Sequence, residues 1–451
     1  MLSVKRHAQT SEHEEAQWQP TAFRLSHFQQ MMSAWDAIHP YNAVHVVSLA
    51  GRADAPALQE AVRRACRAVG VGKLAVDTRA GTYRYLPFED ITVRQRPAGC
   101  DAGHALCAVI SEEMNGAFPT GPHVPLRWTV FDDALNNEHF VLLVYHHVAA
   151  DAYSIQALLA LVLHHYLDLQ LPGDYPGLRV SMPQGGNRLC LGSHRLGHPG
   201  ALTRAVGQYF KLRRAHRWHE DRSGRNETGF VLRSVPSGML DRLRAVCRAE
   251  GAGLNDVFLA ALTTALAQRT PARRTHRRRR KIAVGTVLSH RTRAGGDLSG
   301  FFGVCLSDAA LLVDRPDAGI RGVLAQIVPQ TRCLKAIAEP IEPAWRFLFV
   351  KYLWPALRIP HSVASYRKVF PLCAGVSTVL LDMARFGETA GRIRRYVRAC
   401  PPGPAMPMLL SPTIAAGRLE LGLVYRVAAV TETQAHELLD SLVDALGDLI
   451  R

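Results

Sequence analysis

The sequence predicts an α/β (mixed α+β) protein built from two halves of related design. Three observations carry this expectation. Strand-like runs alternate with helix-like runs in both halves of the 451-residue chain, the pattern that packs helices onto sheets. A weakly periodic stretch rich in Gly, Pro, His and Arg separates the halves at 171–226. Apolar residues make up 48% and charged residues 20%, a globular rather than a disordered composition. A chain this long exceeds one simple core. The expected division is a flexible N-terminus at 1–20, a first domain at 21–170, a crossover at 171–226 and a second domain at 227–451.

Taken in order, residues 25–32 start a helix and the alternation at 43–49 marks a strand. Pro56 suits the first turn of a helix over 57–69, with Leu58, Ala61, Val62 and Ala65 on one side. Short strands at 83–85 and 91–93 precede a helix at 104–115. Strands at 126–131 and 140–145 flank a polar loop, and a helix follows Asp151 to about residue 169. The crossover holds one helix near 205–218. The second half reads as a strand at 229–235, a helix at 238–249 with Ser237 as N-cap, and a helix at 256–268 capped by Asn255. Strands follow at 282–288 and 304–313, then a helix at 320–337 broken or kinked at Pro329. Strands at 375–381, 408–414 and 419–425 lead to a closing helix at 433–449, and Pro412 marks the middle strand as an edge. No short tandem repeat interrupts this pattern.

The formal charge of +16 implies attraction for something acidic: nucleic acid, anionic lipid, a phosphorylated cofactor or an acidic carrier protein. Nine scattered cysteines with no CxxC pair argue against a zinc or redox site and for reduced thiols in the cytoplasm. The N-terminal sequence lacks the apolar stretch of a signal peptide. No run reaches the ~18 apolar residues of a membrane-spanning helix. A cytoplasmic monomer is therefore expected.

The most informative stretch is His146-His147-Val148-Ala149-Ala150-Asp151-Ala152, which follows the apolar run from Phe140 to Tyr145. It reads as a buried strand ending in two histidines, a turn, and a helix. A histidine at a strand end can accept a proton near neutral pH. Asp151 is placed to N-cap the helix or to pair with a cation. Other segments fall into line with it. Leu25-Ser26-His27-Phe28-Gln29 opens the chain, and Pro125-Leu126-Arg127-Trp128 precedes the histidines. Asn255-Asp256-Val257-Phe258-Leu259-Ala260 starts a helix. Gly285-Thr286-Val287-Leu288-Ser289-His290-Arg291, Gly300-Phe301-Phe302-Gly303-Val304 and Gly375-Val376-Ser377-Thr378 follow.

In order and spacing these segments resemble the condensation-domain and HHxxxDG acyltransferase superfamily: its LSxxQ, PLxW, GTPxxxR, GFFxN and VSN elements, and the NDVxLA helix start of wax-ester and acyl-glycerol synthases. Ala152 stands where the signature has Gly, Val304 where the GFF element has Asn, and Thr378 where the VSN strand has Asn. The resemblance implies a pseudodimer of two chloramphenicol-acetyltransferase-like domains with the active site in an interdomain tunnel. It implies an acyltransferase that moves an acyl group from a coenzyme A or carrier-protein phosphopantetheine thioester to a hydroxyl or amine. No acyl-enzyme, metal or bound cofactor is then required. His147 is the implied general base and His146 shapes the turn. Asp151 pairs with Arg291 across the domains and supports the loop. Two rival expectations stand beside it: a wax-ester or acylglycerol synthase acting on lipid, and a catalytically silent paralogue that binds a carrier protein. The changes at Ala152 and Thr378 keep the second rival in play, because Ala crowds the turn if that position needs a positive φ.

Ala152, Ser154, Asn255, Ser377 and Thr378 complete the candidate set as tunnel or substrate-binding residues. For Ser154 the plain alternative is a first-turn helix residue, since no GxSxG elbow surrounds it. His164 and His165 lie within a helix and read as packing or solvation. Arg277, Arg278, Arg279, Arg280 and Lys281 end the densest charge run. That run is either a solvated loop or a dock for an acidic carrier protein or the phosphates of coenzyme A. Lys211 to Trp218 and Arg392 to Arg398 add further cations. No nucleic-acid-binding module accompanies the charge. The aromatic run from Trp345 to Trp354 reads as a core or tunnel-wall helix, with a membrane-surface contact as the alternative.

Overall fold

The computed structural model describes residues 22–97, 102–170, 177–181, 207, 210–220, 227–291, 298–336, 359–404 and 406–451. The aromatic run at 345–354 lies outside these residues. The helix expected at 205–218 stops short: residues 210–212 are helical, 213–214 form a turn, and Ala215 leaves the helix to bridge Lys281. The first half runs β1 (Phe23–Arg24), α1 (His27–Asp36), β2 (Asn42–Ala50), α2 (Ala55–Val69), β3 (Lys73–Asp77), β4 (Thr82–Leu86), β5 (Val93–Gln95), α3 (Ala102–Asn115), β6 (Leu126–Asp133), β7 (Glu138–His146) and α4 (Ala152–Tyr166). The second half opens with β8 (Thr228–Ser234), α5 (Met239–Glu250), α6 (Leu254–Arg269), β9 (Ile282–Ser289), β10 (Leu306–Val313), α7 (Gly319–Ala336) and α8 (Ile359–Val369). It closes with β11 (Ala374–Val376), β12 (Val379–Leu380), α9 (Met383–Phe386), β13 (Ile393–Ala399), β14 (Met408–Ala415), β15 (Arg418–Arg426) and α10 (Glu432–Ile450).

Local chemistry accounts for the helix ends. Ser26 and Gln29 form a capping box at α1, with Ser26 Oγ accepting from Gln29 N and Gln29 Oε1 accepting from Ser26 N. Asp54 caps α2, whose first turn holds Pro56, and Gly70 ends it at φ 86°. Two expected caps move. The N-cap of α5 is Gly238 rather than Ser237, and it makes no side-chain cap bond. The N-cap of α6 is Gly253 rather than Asn255. There the Asp256 carboxylate reaches back to the Gly253 N–H at 2.8 Å, which starts the helix earlier and leaves the Asn255 amide to bond Thr286 and Thr378.

The first lobe is the sheet β13-β2-β7-β6-β5 with a small sheet β1-β4-β3 beside it. The second is β10-β9-β11-β14-β15-β8, with β12 also on β14. Strands β2 and β7 pair antiparallel from Asn42↔His146 to Ala50↔Glu138 and are buried on both faces. The apolar run Phe140–Tyr145 of β7 suits that position, while β2 buries His45 and Ser48 among its apolar residues. Helix α4 packs on α2 and is apolar nearly all round, as a helix inside a core must be. Helix α6 plays the matching part in the second lobe, against α7 and α10. The lobes are joined through a strand: β13, from the second half, pairs antiparallel with β2 of the first.

Three strand and helix expectations are corrected. The strand expected at 375–381 is two short ones, β11 and β12, separated at Ser377-Thr378. Strand β14 is not an edge, since it lies between β11 and β15. Pro412 is tolerated there because the neighbouring bonds, Ser377 N–H to Leu410 O and Leu381 N–H to Ile414 O, bracket the break between β11 and β12. Residues 410, 412 and 414 turn their polar groups to that side, so the N–H that proline lacks would face the gap. Helix α7 is continuous through Pro329.

Candidate active site

The two histidines close β7 with opposite orientations, as the two-residue period of a strand requires. His146 turns away from the lobe interface. Its Nδ1 lies 3.2 Å from His123 Nε2, its ring stacks on Phe118, and its Nε2 lies 3.6 Å from Asp36. Burial lowers its pKa to about 4, partly offset by Asp36. The ring thus points away from His147 and packs against the 118–123 segment.

His147 is enclosed by residues of both halves, Tyr41 and Tyr145 from the first and Cys400 from the second. The backbone anchors it: His147 N–H donates to Tyr41 O at 3.1 Å. Its ring stacks on Tyr41 and lies against Tyr145. The ring is 6% exposed, and burial lowers its pKa to about 4, so the imidazole is neutral at pH 7 and able to accept a proton. The carbonyls of His147 itself and of Ala150 oppose that shift. They lie near enough to favour a proton on the ring, although Nδ1 makes no hydrogen bond of normal geometry. A proton on Nδ1 leaves Nε2 as the base. Nε2 faces the Cys400 thiol at 3.6 Å.

Cys400 was not among the sequence candidates, nor was Arg398. Both come from the β13 segment. Alternation puts Tyr396, Arg398 and Cys400 on one side, and each reaches a different partner. Tyr396 Oη bonds to His45 Nδ1 at 2.8 Å, Arg398 donates to Ser377 O and to Ser377 Oγ, and Cys400 meets His147. The guanidinium of Arg398 is 3% exposed and has no carboxylate partner among the described residues. Its charge acts on His45, Tyr145, His147 and Cys400. A signal is present in the sequence: Ile393, Tyr396 and Val397 are strand formers, but the cations between them mask the pattern.

Asp151 and Arg291 form the latch that the sequence predicted, and Asp151 is also the cap of α4. Ser154 N–H donates to Asp151 Oδ1 at 2.9 Å. Arg291 donates from Nη2 to Oδ1 at 2.9 Å and from Nε to Oδ2 at 3.1 Å, a bidentate pair. The remaining donors go to Leu298 O, Phe301 O, Gly303 O and Ser154 Oγ at 2.6 to 2.9 Å. Cys305 N–H and Ser154 N–H complete the carboxylate. Ser154 lies fully buried within this latch, with Gly303 N–H donating to its hydroxyl and the hydroxyl donating to Gly303 O. Its place is structural support, not the wall of an open channel.

Ala152 takes the first helical position of α4. It is not among the described residues with positive φ, so the Gly-to-Ala change does not strain the turn. Asn255, Thr286 and Thr378 form a separate hydroxyl–amide chain. Thr378 Oγ1 donates to Asn255 Oδ1 at 2.9 Å and Asn255 Nδ2 donates to Thr286 Oγ1 at 3.0 Å. His164 is buried within α4. The run Arg277 to Lys281 precedes β9 whereas Arg291 follows it, so it stands on the order of 25 Å from the latch along the strand. No helix among the described residues is long and apolar enough to cross a membrane.

No family model and no curated protein sequence matches the chain. Solved structures do. The first condensation domain of the calcium-dependent antibiotic synthetase, in complex with a substrate analogue, aligns over 95% of this chain and 96% of its own, with a TM-score of 0.67 and 13% identity. TRI3 trichothecene 15-O-acetyltransferase from Fusarium sporotrichioides aligns over 96% and 95%, with a TM-score of 0.68 and 14% identity. The X-domain in its complex with OxyB from teicoplanin biosynthesis aligns over 96% and 94%, with a TM-score of 0.56 and 16% identity. The likeness shows the fold: this chain has the two-lobed architecture of the condensation domains.

Proposed function

We propose that the protein is an acyltransferase that moves an acyl group from a coenzyme A or carrier-protein thioester to a hydroxyl or amine. The observation that carries the reading is His147: a neutral imidazole at the lobe interface, on a turn fixed by the Asp151–Arg291 latch. A thioester is already activated, so the enzyme's task is to align it with the acceptor and remove one proton. The acceptor O–H or N–H gives its proton to His147 Nε2 as its heteroatom bonds to the thioester carbon. The resulting oxyanion collapses, the C–S bond breaks, and the thiolate takes the proton back from the imidazolium. No acyl-enzyme is formed. Arg398, whose charge acts on His147, contributes positive charge beside the developing oxyanion. Asp151 and Arg291 hold the turn and carry no proton.

The test is His147→Ala in folded protein, with thiol release from varied acyl-CoA and carrier-bound thioesters read against a panel of alcohols and amines. The expected loss is about 10²- to 10⁴-fold in kcat/KM. Full retained transfer would overturn the assignment.

One observation favours a second reading, a catalytically silent binding module. The Cys400 thiol occupies the approach to Nε2 at 3.6 Å, and Tyr41 and Tyr145 enclose the rest of the ring. Under that reading no thioester in the panel releases thiol above background, and the His147→Ala protein behaves as the parent does.

A further inference from the structure

Two basic segments that are far apart in sequence meet in space. Ala215 bridges Lys281 in parallel, and His216 N–H donates to Lys281 O at 2.7 Å. Arg217 donates to Lys368 O at the end of α8 at 3.0 Å. Between these segments lies a cavity of about 900 Å³. Its lining is eight cationic residues and one aromatic, Phe210, with no acidic residue.

The charges are not neutralised locally. Lys281 pairs with Asp314 at 2.8 Å. Lys211, Arg213, Arg214, Arg278, Arg279 and Lys368 have no carboxylate partner among the described residues. The acidic residue nearest in sequence is committed elsewhere, since Glu220 pairs with Arg367, and Asp317 pairs with Arg273 and Arg274. A neighbouring group senses the field: the pKa of His216 is lowered by burial and then by Arg273, His276 and Arg279. Like charges held around a concavity repel one another and raise the local potential, which an anion relieves. Guanidinium forks match phosphate oxygens two at a time. The volume is that of a small-molecule site, whereas an acidic protein partner needs a broad interface of about 1,000 Å² or more. Phe210, 52% exposed at the cavity wall, carries the Arg213 guanidinium over its ring at 5.4 Å, so a base that stacks there joins a ring–cation pair.

We propose that this cavity binds a purine nucleotide carrying several phosphates, with Arg213, Arg214, Arg278 and Arg279 on the phosphates and Phe210 against the base. Joined to the acyl-transfer reading, on which this second step rests, it makes a nucleotide-bearing thioester, coenzyme A, the donor in place of a carrier protein.

Calorimetry on the full chain tests it with adenosine 3′,5′-bisphosphate, ATP, coenzyme A and pantetheine at low and raised salt. The expected result is binding of the phosphorylated nucleotides and not of pantetheine, weakening as salt rises. The double variant Arg278→Glu with Arg279→Glu should weaken binding at least tenfold. The exposed control pair Arg52→Glu with Arg418→Glu should leave it unchanged, as should His147→Ala. Coenzyme A binding more tightly than ATP supports the donor role; ATP binding at least as tightly supports the cavity and overturns the donor role. Nucleotide binding that persists in a His147→Ala protein of full activity keeps the cavity and removes the acyl-transfer reading. Absence of nucleotide binding, binding indifferent to the charge reversal, or capture of an acidic carrier protein without any nucleotide affinity would overturn the proposal.

Discussion

Two buried guanidiniums face the junction of the lobes, and they are treated differently. Arg291 is 2% exposed and meets a bidentate carboxylate, three carbonyls and a hydroxyl. Arg398 is 3% exposed and among the described residues meets only Ser377. Burying a charge costs several kcal/mol unless it is paired and hydrogen-bonded. Arg291 satisfies that condition and behaves as a structural part. Arg398 does not: its hydrogen bonds go to Ser377 alone among the described residues, and under the proposed acyl transfer its charge is the one available to the oxyanion.

The contrast breaks most sharply at the latch. Arg291→Met leaves the Asp151 carboxylate buried without its cation, and the expected cost is about 3–5 kcal/mol of stability, read as a lowered denaturation midpoint. A loss below about 1 kcal/mol would mean that the latch is not what ties the lobes. At Arg398 the same substitution should act the other way. Arg398→Met removes an uncompensated charge, so stability should hold or rise. Its kcat should fall by about 10²-fold if the guanidinium faces the oxyanion. A shift in the pH profile separates this from a packing effect. Arg398 helps to lower the pKa of His147, so the acid limb of kcat/KM should move upward in the variant.

A smaller effect tests the burial common to these residues. His146 and His147 sit at about pKa 4 and His45 well below its ordinary value, each chiefly through burial. The unfolded chain protonates the same rings near 6.5. Their contribution is complete above pH 6.5 and is lost as pH falls toward 4, because the unfolded state then binds the extra protons. The slope is up to ~1.4 kcal/mol per pH unit for each ring, measured by denaturation across that window. The smallest expected effect is at Cys400. If proton transfer from the acceptor is direct, Cys400→Ala should change kcat less than threefold while opening space beside Nε2. A loss as deep as that of His147→Ala, together with an acyl adduct on Cys400 by mass spectrometry, would replace the direct mechanism with a covalent one.

Much of this was legible in the sequence, and the misses share a cause. The strand ending in His146-His147, the Asp151 cap and its Arg291 partner could be anticipated because each is either local or carried by a motif. What stayed hidden depends on the partner strand. Pro412 looks like an edge residue until the break at Ser377-Thr378 is placed beside it. Asn255 looks like a cap until Asp256 is seen reaching Gly253. Strand β3 has only one fully buried residue, Leu74, so its alternation is faint. In the sequence Arg398 and Cys400 look like a charge and a scattered thiol, because nothing in residues 392–400 says that the strand lies against β2, some 350 positions earlier.

That pairing has a consequence for how the chain can be taken apart. Remove everything after the crossover and β2 loses β13 along nearly its whole length, from Val44 to Leu49. A long strand would then present bare N–H and C=O groups to solvent, a template for self-association. The first lobe on its own is therefore an adhesive fragment. It becomes a soluble partner when a strand in the place of β13 is returned to it, so the two halves of this protein are sold only as a pair.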